Sequence, residues 1–228
     1  MLKTLSTLVL VISCLSFAFA QNQQKIEEQS FPWSSSKSAS IDLKFASNIK
    51  VNTWNKKELG IKTIITYSKE EYAKLHQMTV DDAGNKLSVV TDFNKDFVKK
   101  NDYNCWNCDE QNPSSNRECI CFKLEFEVMV PQGGDISIET ISGNIEMKNL
   151  NRAIQAKTIS GFIDLGLKPN AAYDLKFKSV TGEIYTDFDL DLDQNSTAFS
   201  KRLNSSLNGG GSLIALETIS GDIFFRKE

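Results

Sequence analysis

Four cysteines stand close together near the middle of the chain: Cys105 and Cys108, then Cys119 and Cys121. Thiols at such spacings can form two disulfides, hold zinc as four thiolates, or cycle as a Cys-x-x-Cys redox pair. Cys105-Trp106-Asn107-Cys108 has zinc-ligand spacing, but Cys119-Ile120-Cys121 is tighter than common zinc knuckles. The strand-to-helix context of a thioredoxin-like pair is missing. An even number of cysteines in an exported chain reads first as disulfides. The pairing taken forward is nested, Cys105–Cys121 and Cys108–Cys119, and it closes a hairpin around the polar stretch 109–118. Each closure contributes about 2–4 kcal/mol. Zinc and redox chemistry are the alternatives, and Trp106 packs on the disulfide in the preferred reading.

Asp187, Asp189, Asp191 and Asp193 alternate with Phe188, Leu190 and Leu192, which puts four carboxylates on one face of a strand. Such a face can hold calcium, although the glycine-rich nonapeptides of calcium-binding rolls are absent. The other reading is a solvated edge that deters aggregation. His76 is the one histidine. It excludes a histidine-based metal cluster and reads as a surface residue of a short helix. Carboxylate pairs for glycoside hydrolysis must come from Glu139, Glu146, Asp164, Glu183, Glu217 and Asp222, and only their geometry gives them meaning. The Asn208-Gly209-Gly210-Gly211 turn lacks the strand–helix setting of a phosphate cradle. A formal net charge of −3 without a clustered basic face argues against a nucleic-acid partner. These residues lead to an expectation of no cofactor and no catalysis.

The elements that position these groups are written in a repeat. Thr140-Ile141-Ser142-Gly143 recurs as Thr158-Ile159-Ser160-Gly161, Ser179-Val180-Thr181-Gly182 and Thr218-Ile219-Ser220-Gly221. An isoleucine follows each glycine by two: Ile145, Ile163, Ile184 and Ile223. Apolar residues precede it by seven (Ile136, Ile154, Leu175, Ile214) and by five (Ile138, Ala156, Phe177, Leu216). That is period two, a strand with one face buried. A glycine interrupting it marks a corner where a Cβ would clash. Gly143, Gly161, Gly182 and Gly221 are therefore the repeat corners. They are 18, 21 and 39 residues apart. The last gap equals the first two together, which fits a stack of coils with one degenerate copy. Ile145, Ile163 and Ile184 are expected to form a buried ladder.

Two points stay open. Ile141, Ile159, Val180 and Ile219 fall out of phase. Either they form a second apolar ladder on the opposite face, or a bulge begins before the glycine. An outward ladder would be a candidate interface; the preferred reading is that the N-terminal region covers it. The Thr/Ser positions either bond neighbouring backbone or present an ice-binding hydroxyl array. The second needs a long, even, outward face, which few and unequal coils do not provide.

Lys3, an apolar run over 5–19 and Ala18-Phe19-Ala20 before Gln21 form a secretory signal peptide, 1–20, with a small-x-small cleavage site. Val11-Ile12-Ser13-Cys14 offers a competing lipoprotein site anchored at Cys14. No later run is long and apolar enough to span a bilayer as a helix. Residues 21–40 read as a flexible leader. Residues 41–130 form an N-terminal β region that carries a cysteine-rich insertion at 101–121. Its short helix over 69–77 starts at a Ser68/Glu71 capping box. Residues 131–228 are the repeat region. The expected class is all-β: a solenoid-like, β-helix-like stack of coils after an N-terminal β region with one short helix.

Residues 48–54, 124–131 and 135–150, the Asn208–Gly211 turn and 218–223 resemble the β-strand-repeat putative adhesin family of bacterial envelopes, over about 41–228. The resemblance implies a solenoid-like β fold in an exported protein of unknown biochemical role, with no catalytic residues to carry over. The segment 101–121 departs from the family pattern. The expected role is a non-catalytic envelope module that presents a repetitive β face to a glycan, a protein or its own copy. A carbohydrate-active enzyme and a periplasmic signalling or assembly accessory are the alternatives. Ile223-Phe224-Phe225 lies close to residue 228, so self-association through an open C-terminal edge is expected.

Overall fold

The computed structural model describes residues 23–101, 121–148, 150, 152–190 and 201–228. In chain order the strands are β1 (Gln23–Pro32), β2 (Ser38–Leu43), β3 (Asn48–Thr53), β4 (Glu58–Tyr67), β5 (His76–Ala83), β6 (Lys86–Phe93), β7 (Phe122–Val130) and β8 (Asp135–Ser142). There follow β9 (Asn144–Lys148), β10 (Ile154–Ser160), β11 (Ile163–Leu167), β12 (Tyr173–Ser179), β13 (Ile184–Thr186), β14 (Lys201–Leu207), β15 (Ser212–Ser220) and β16 (Ile223–Lys227). They form two eight-stranded sheets. The first runs β1-β4-β7-β3-β9-β11-β16-β13 and the second β14-β12-β15-β10-β8-β2-β6-β5. Both are mixed: parallel in the middle, with antiparallel pairs β1/β4, β4/β7, β12/β14 and β5/β6. Neither closes into a barrel.

Five times the chain leaves a strand of the second sheet, turns a corner and enters the first: β2 to β3, β8 to β9, β10 to β11, β12 to β13 and β15 to β16. Parallel register puts equivalent residues side by side, Ile163 between Ile145 and Ile223, with Ile184 beyond Ile223. Ile145, Ile163 and Ile223 are fully buried, each worth roughly 1.5–3 kcal/mol. From the other sheet Ile138, Ala156, Leu216 and Phe177 meet them in the core.

The corners are held by hydroxyls turned inward. Thr158 Oγ1 donates to the Gly143 carbonyl at 3.1 Å, Thr218 Oγ1 to that of Gly161 at 3.1 Å, and Ser179 Oγ to that of Gly221 at 2.9 Å. Thr140 Oγ1 donates to the Leu43 carbonyl at 2.7 Å. A Cβ on Gly161 would run into the carbonyl oxygen of Gly143, one on Gly221 into that of Gly161, and one on Gly182 into that of Gly221. Gly161 and Gly221 also have φ of 147° and 150°, where side chains are strained. Thr140, Thr158 and Thr218 are buried, so they do not present an ice-binding array.

Several expectations are corrected. The repeats do not stack in chain order: β15/β16 lies between β10/β11 and β12/β13. The structure is thus two mixed sheets rather than a sequential stack of coils, and Ile163 and Ile184 are separated by Ile223. No degenerate coil fills the 39-residue gap among the described residues; 201–207 is instead β14, antiparallel to β12. The strand with Ile223-Phe224-Phe225 is interior, so it offers no open edge for self-association. Nor are residues 23–40 a flexible leader. β1 pairs along its whole length with β4, although its side chains are mostly exposed. The expected helix over 69–77 is one 3₁₀ turn, Glu70–Lys74, and the expected Ser68/Glu71 capping box does not form, since no side chain caps the turn. The α-helix, α1, is Lys95–Asn101, where Asn94 Oδ1 accepts the Phe97 amide at 3.1 Å.

Replacing Gly161 by Ala adds a Cβ against backbone at positive φ and is expected to cost about 3 kcal/mol. Thr158→Val keeps the shape, removes the hydroxyl donor and is expected to cost about 1–2 kcal/mol. Urea unfolding of both variants checks this, and wild-type midpoints in both would refute the corner account.

Candidate functional site

The groups that could do chemistry are mostly not drawn together; the exceptions are two neighbouring carboxylate pairs, Glu146 beside Asp164 and Glu183 beside Asp222. Cys105, Cys108 and Cys119 lie outside the described residues; Cys121, just before β7, is buried. Asp191 and Asp193 also lie outside them. Asp187 Oδ1 accepts the Lys227 amide at 2.8 Å, and Asp189 is exposed. Among the described residues no three His, Cys, Asp or Glu side chains cluster to hold a metal ion. The carboxylates proposed for glycosidase pairs divide between the sheets. Glu139 and Glu217 sit on β8 and β15, Glu146 and Asp164 on β9 and β11, and Glu183 and Asp222 at corners. Burial raises the Asp164 pKa, opposed by Arg226, whose Nε is 3.2 Å away. The hydrogen bond from Lys178, at 2.7 Å, lowers that of Glu217. A depression of about 560 Å³ between Thr53, Asn55, Gln132, Leu150, Lys168 and Tyr173 brings no carboxylate pair together.

His76 is not a surface residue. It opens β5, and its side chain is 2% exposed. Its ring lies 6.0 Å from that of Phe126. Nδ1 is 3.6 Å from Glu27 Oε2, and Nε2 is buried without a hydrogen-bond partner among the described residues. Burial lowers its pKa below 6.5, with Glu27 opposing and Lys25 reinforcing the shift. The sequence missed this because the helical reading of 69–77 put His76 on a solvated face. A second hidden cation is Arg152. Its Nη1 donates to the Gly133 carbonyl at 2.6 Å, which also accepts Trp33 Nε1 at 3.0 Å. Nε and Nη2 of Arg152 have no partner among the described residues.

What the repeat does present is one row of exposed apolar side chains and one half-buried aromatic row that ends in an exposed ring. Ile141, Ile159 and Ile219 are 40%, 44% and 40% exposed, and Val180 is half-buried. The N-terminal region does not cover them. Thr140 turns inward, and both Ile141 and Ser142 face out before the glycine. The alternation therefore breaks one residue earlier than the glycine marks it. In the first sheet Phe162, Phe224 and Tyr185 form an aromatic row. The Phe162 and Phe224 rings meet edge-on at 6.0 Å and 80°. Those of Phe224 and Tyr185 stack at 5.3 Å and 12°. No motif marked these rings, because they come from two different positions of the repeat: Phe162 follows its glycine directly, and Phe224 and Tyr185 stand three residues beyond theirs.

No family model and no curated protein matches the chain. Among solved structures it is similar to a putative cell adhesion protein from Clostridium sporogenes, with a TM-score of 0.53 and 12% identity over 90% of this chain and 100% of that one. A putative adhesin from Bacteroides fragilis aligns with a TM-score of 0.30 and 12% identity, over 90% and 97% of the two chains. The first likeness shows a shared fold. None of the described helices is long and apolar enough to cross a membrane.

The buried histidine makes stability depend on pH. Its folded pKa lies below the unfolded value, so the unfolded chain binds the proton first. Stability is then full above pH 6.5 and falls as the pH drops below that value toward the lower folded pKa. Urea unfolding between about pH 7.5 and 5.5 should show this loss, and His76→Phe should flatten it. An unchanged slope in the variant would remove His76 as the cause.

Proposed function

We propose that this chain is an exported, non-catalytic β-repeat binding module of adhesin type that acts at the bacterial envelope. The observation that carries the reading is the uncovered row Ile141, Ile159, Ile219. Parallel register repeats one apolar side chain at every strand spacing and leaves it to solvent. Exposed apolar rows of this kind mark interaction sites. The fold shared with the Clostridium cell adhesion protein supports the reading, as does the signal-peptide pattern over 1–20. The partner is a glycan or another protein. The nested disulfides Cys105–Cys121 and Cys108–Cys119 belong to this proposal. A disulfide bond at Cys121 supports a bonded framework in an oxidising compartment. The carbohydrate-active alternative loses ground because its adjacent carboxylates are already engaged, Asp164 by Arg226 and Asp222 by the Glu183 amide, and none lines the depression of about 560 Å³.

Protease treatment of intact cells, beside a periplasmic control, tests the placement. Digestion without lysis is expected for a surface binding module. Protection until lysis would overturn the surface reading and favour a periplasmic accessory.

A further inference from the structure

The aromatic row ends at a sheet edge. Tyr185 lies on β13, the last strand of the first sheet. It is 51% exposed although one face of its ring is covered by Phe224. Past β13 the sheet adds no strand, so the other face of the ring looks outward. Phe162 and the guanidinium of Arg226, whose Cζ is 5.0 Å from the Phe224 ring centre, brace the stack from behind. The ring is thus a supported shelf rather than a loose surface side chain.

Polar groups near the shelf are held in place by backbone. Asp222 Oδ1 accepts the Glu183 amide at 2.8 Å, two residues before Tyr185. Asp187 Oδ1 accepts the Lys227 amide at 2.8 Å, two residues after it. In each case one oxygen is used and fixes the carboxylate. The second oxygen has no hydrogen-bond partner among the described residues. Arg226 is likewise fixed by its pair with Asp164.

We propose that Tyr185, Asp222 and Asp187 form a platform for a neutral, pyranose-containing glycan. The proposal rests on the binding-module reading and names its ligand class. The axial C–H bonds of a pyranose carry slight positive charge and pack on the negative face of an aromatic ring. Ionised carboxylates accept sugar hydroxyls in charge-assisted hydrogen bonds. The same two carboxylates disfavour sulfated or uronate-rich chains, while Glu183 beside them is paired with Lys201 at 3.4 Å. A three-residue strand gives a protein partner little backbone to pair with, which disfavours strand addition.

Native electrophoresis of the mature protein in gels containing hydroxyethylcellulose, galactomannan or xylan, with hyaluronan as the polyanionic comparison, tests the platform. Retardation is expected in at least one neutral gel. Tyr185→Ala should weaken it about tenfold, Tyr185→Phe should retain it, and Asp222→Asn, which keeps the bond to the Glu183 amide, should weaken it. Circular dichroism melting of each variant separates lost binding from lost fold. Retardation that survives Tyr185→Ala, retardation in hyaluronan alone, or none in any neutral gel overturns the proposal. If digestion on intact cells still occurs in those cases, the binding-module reading stands and only the glycan platform falls.

Discussion

The whole arrangement depends on a contact between neighbouring rungs, in which a buried hydroxyl meets the carbonyl of a residue that has no side chain. Each of Thr158, Thr218 and Ser179 reaches across to the corner glycine of the next strand pair. A buried carbonyl without a partner is expensive. A Cβ at the same corner would force the rungs apart. The hydroxyl and the missing Cβ therefore solve one problem together. They let the chain turn from one sheet to the other while the strands stay in register.

Register then decides what solvent sees. Once Thr158 lies beside Thr140 and Thr218, the residue after each is carried to the same side. The isoleucine row and the aromatic row are by-products of a corner designed around its interior. The aromatic row differs because its members come from different repeat positions. Phe162 follows a glycine directly, whereas Phe224 and Tyr185 stand three residues beyond theirs.

The strands of the repeat were legible, because period two interrupted by glycine has a direct physical meaning. Their order in space was not. Units that share the pattern hydroxyl, branched apolar, hydroxyl, glycine can exchange places in a stack at little local cost, so the insertion of β16 between β11 and β13 cannot be read from the motifs. The first rung was missed for a related reason. Its corner is Ala46, whose carbonyl lies against Gly143, so glycine counting starts one rung late. β1 escaped notice because backbone pairing, not burial, holds it, and hydrophobic patterning detects only burial. His76 was misplaced by a Ser68/Glu71 capping pattern that the chain does not use: the helical turn is only Glu70–Lys74, and His76 opens β5. Of the candidate site, the out-of-phase isoleucines were visible as a question, and the Tyr185 shelf was not visible at all.

The insertion of β15 and β16 also sets a timetable. In the sheets, β12 and β13 join the main stack through these two strands. Until they are available, β13 at the end of the first sheet and β12 with β14 at the end of the second have no neighbouring strand of the main stack to pair with. A growing chain therefore cannot complete the structure rung by rung. One end of the stack must wait for a late segment, and such distant pairings form slowly. The fold therefore stays open at one end until Ser212–Lys227 have been made.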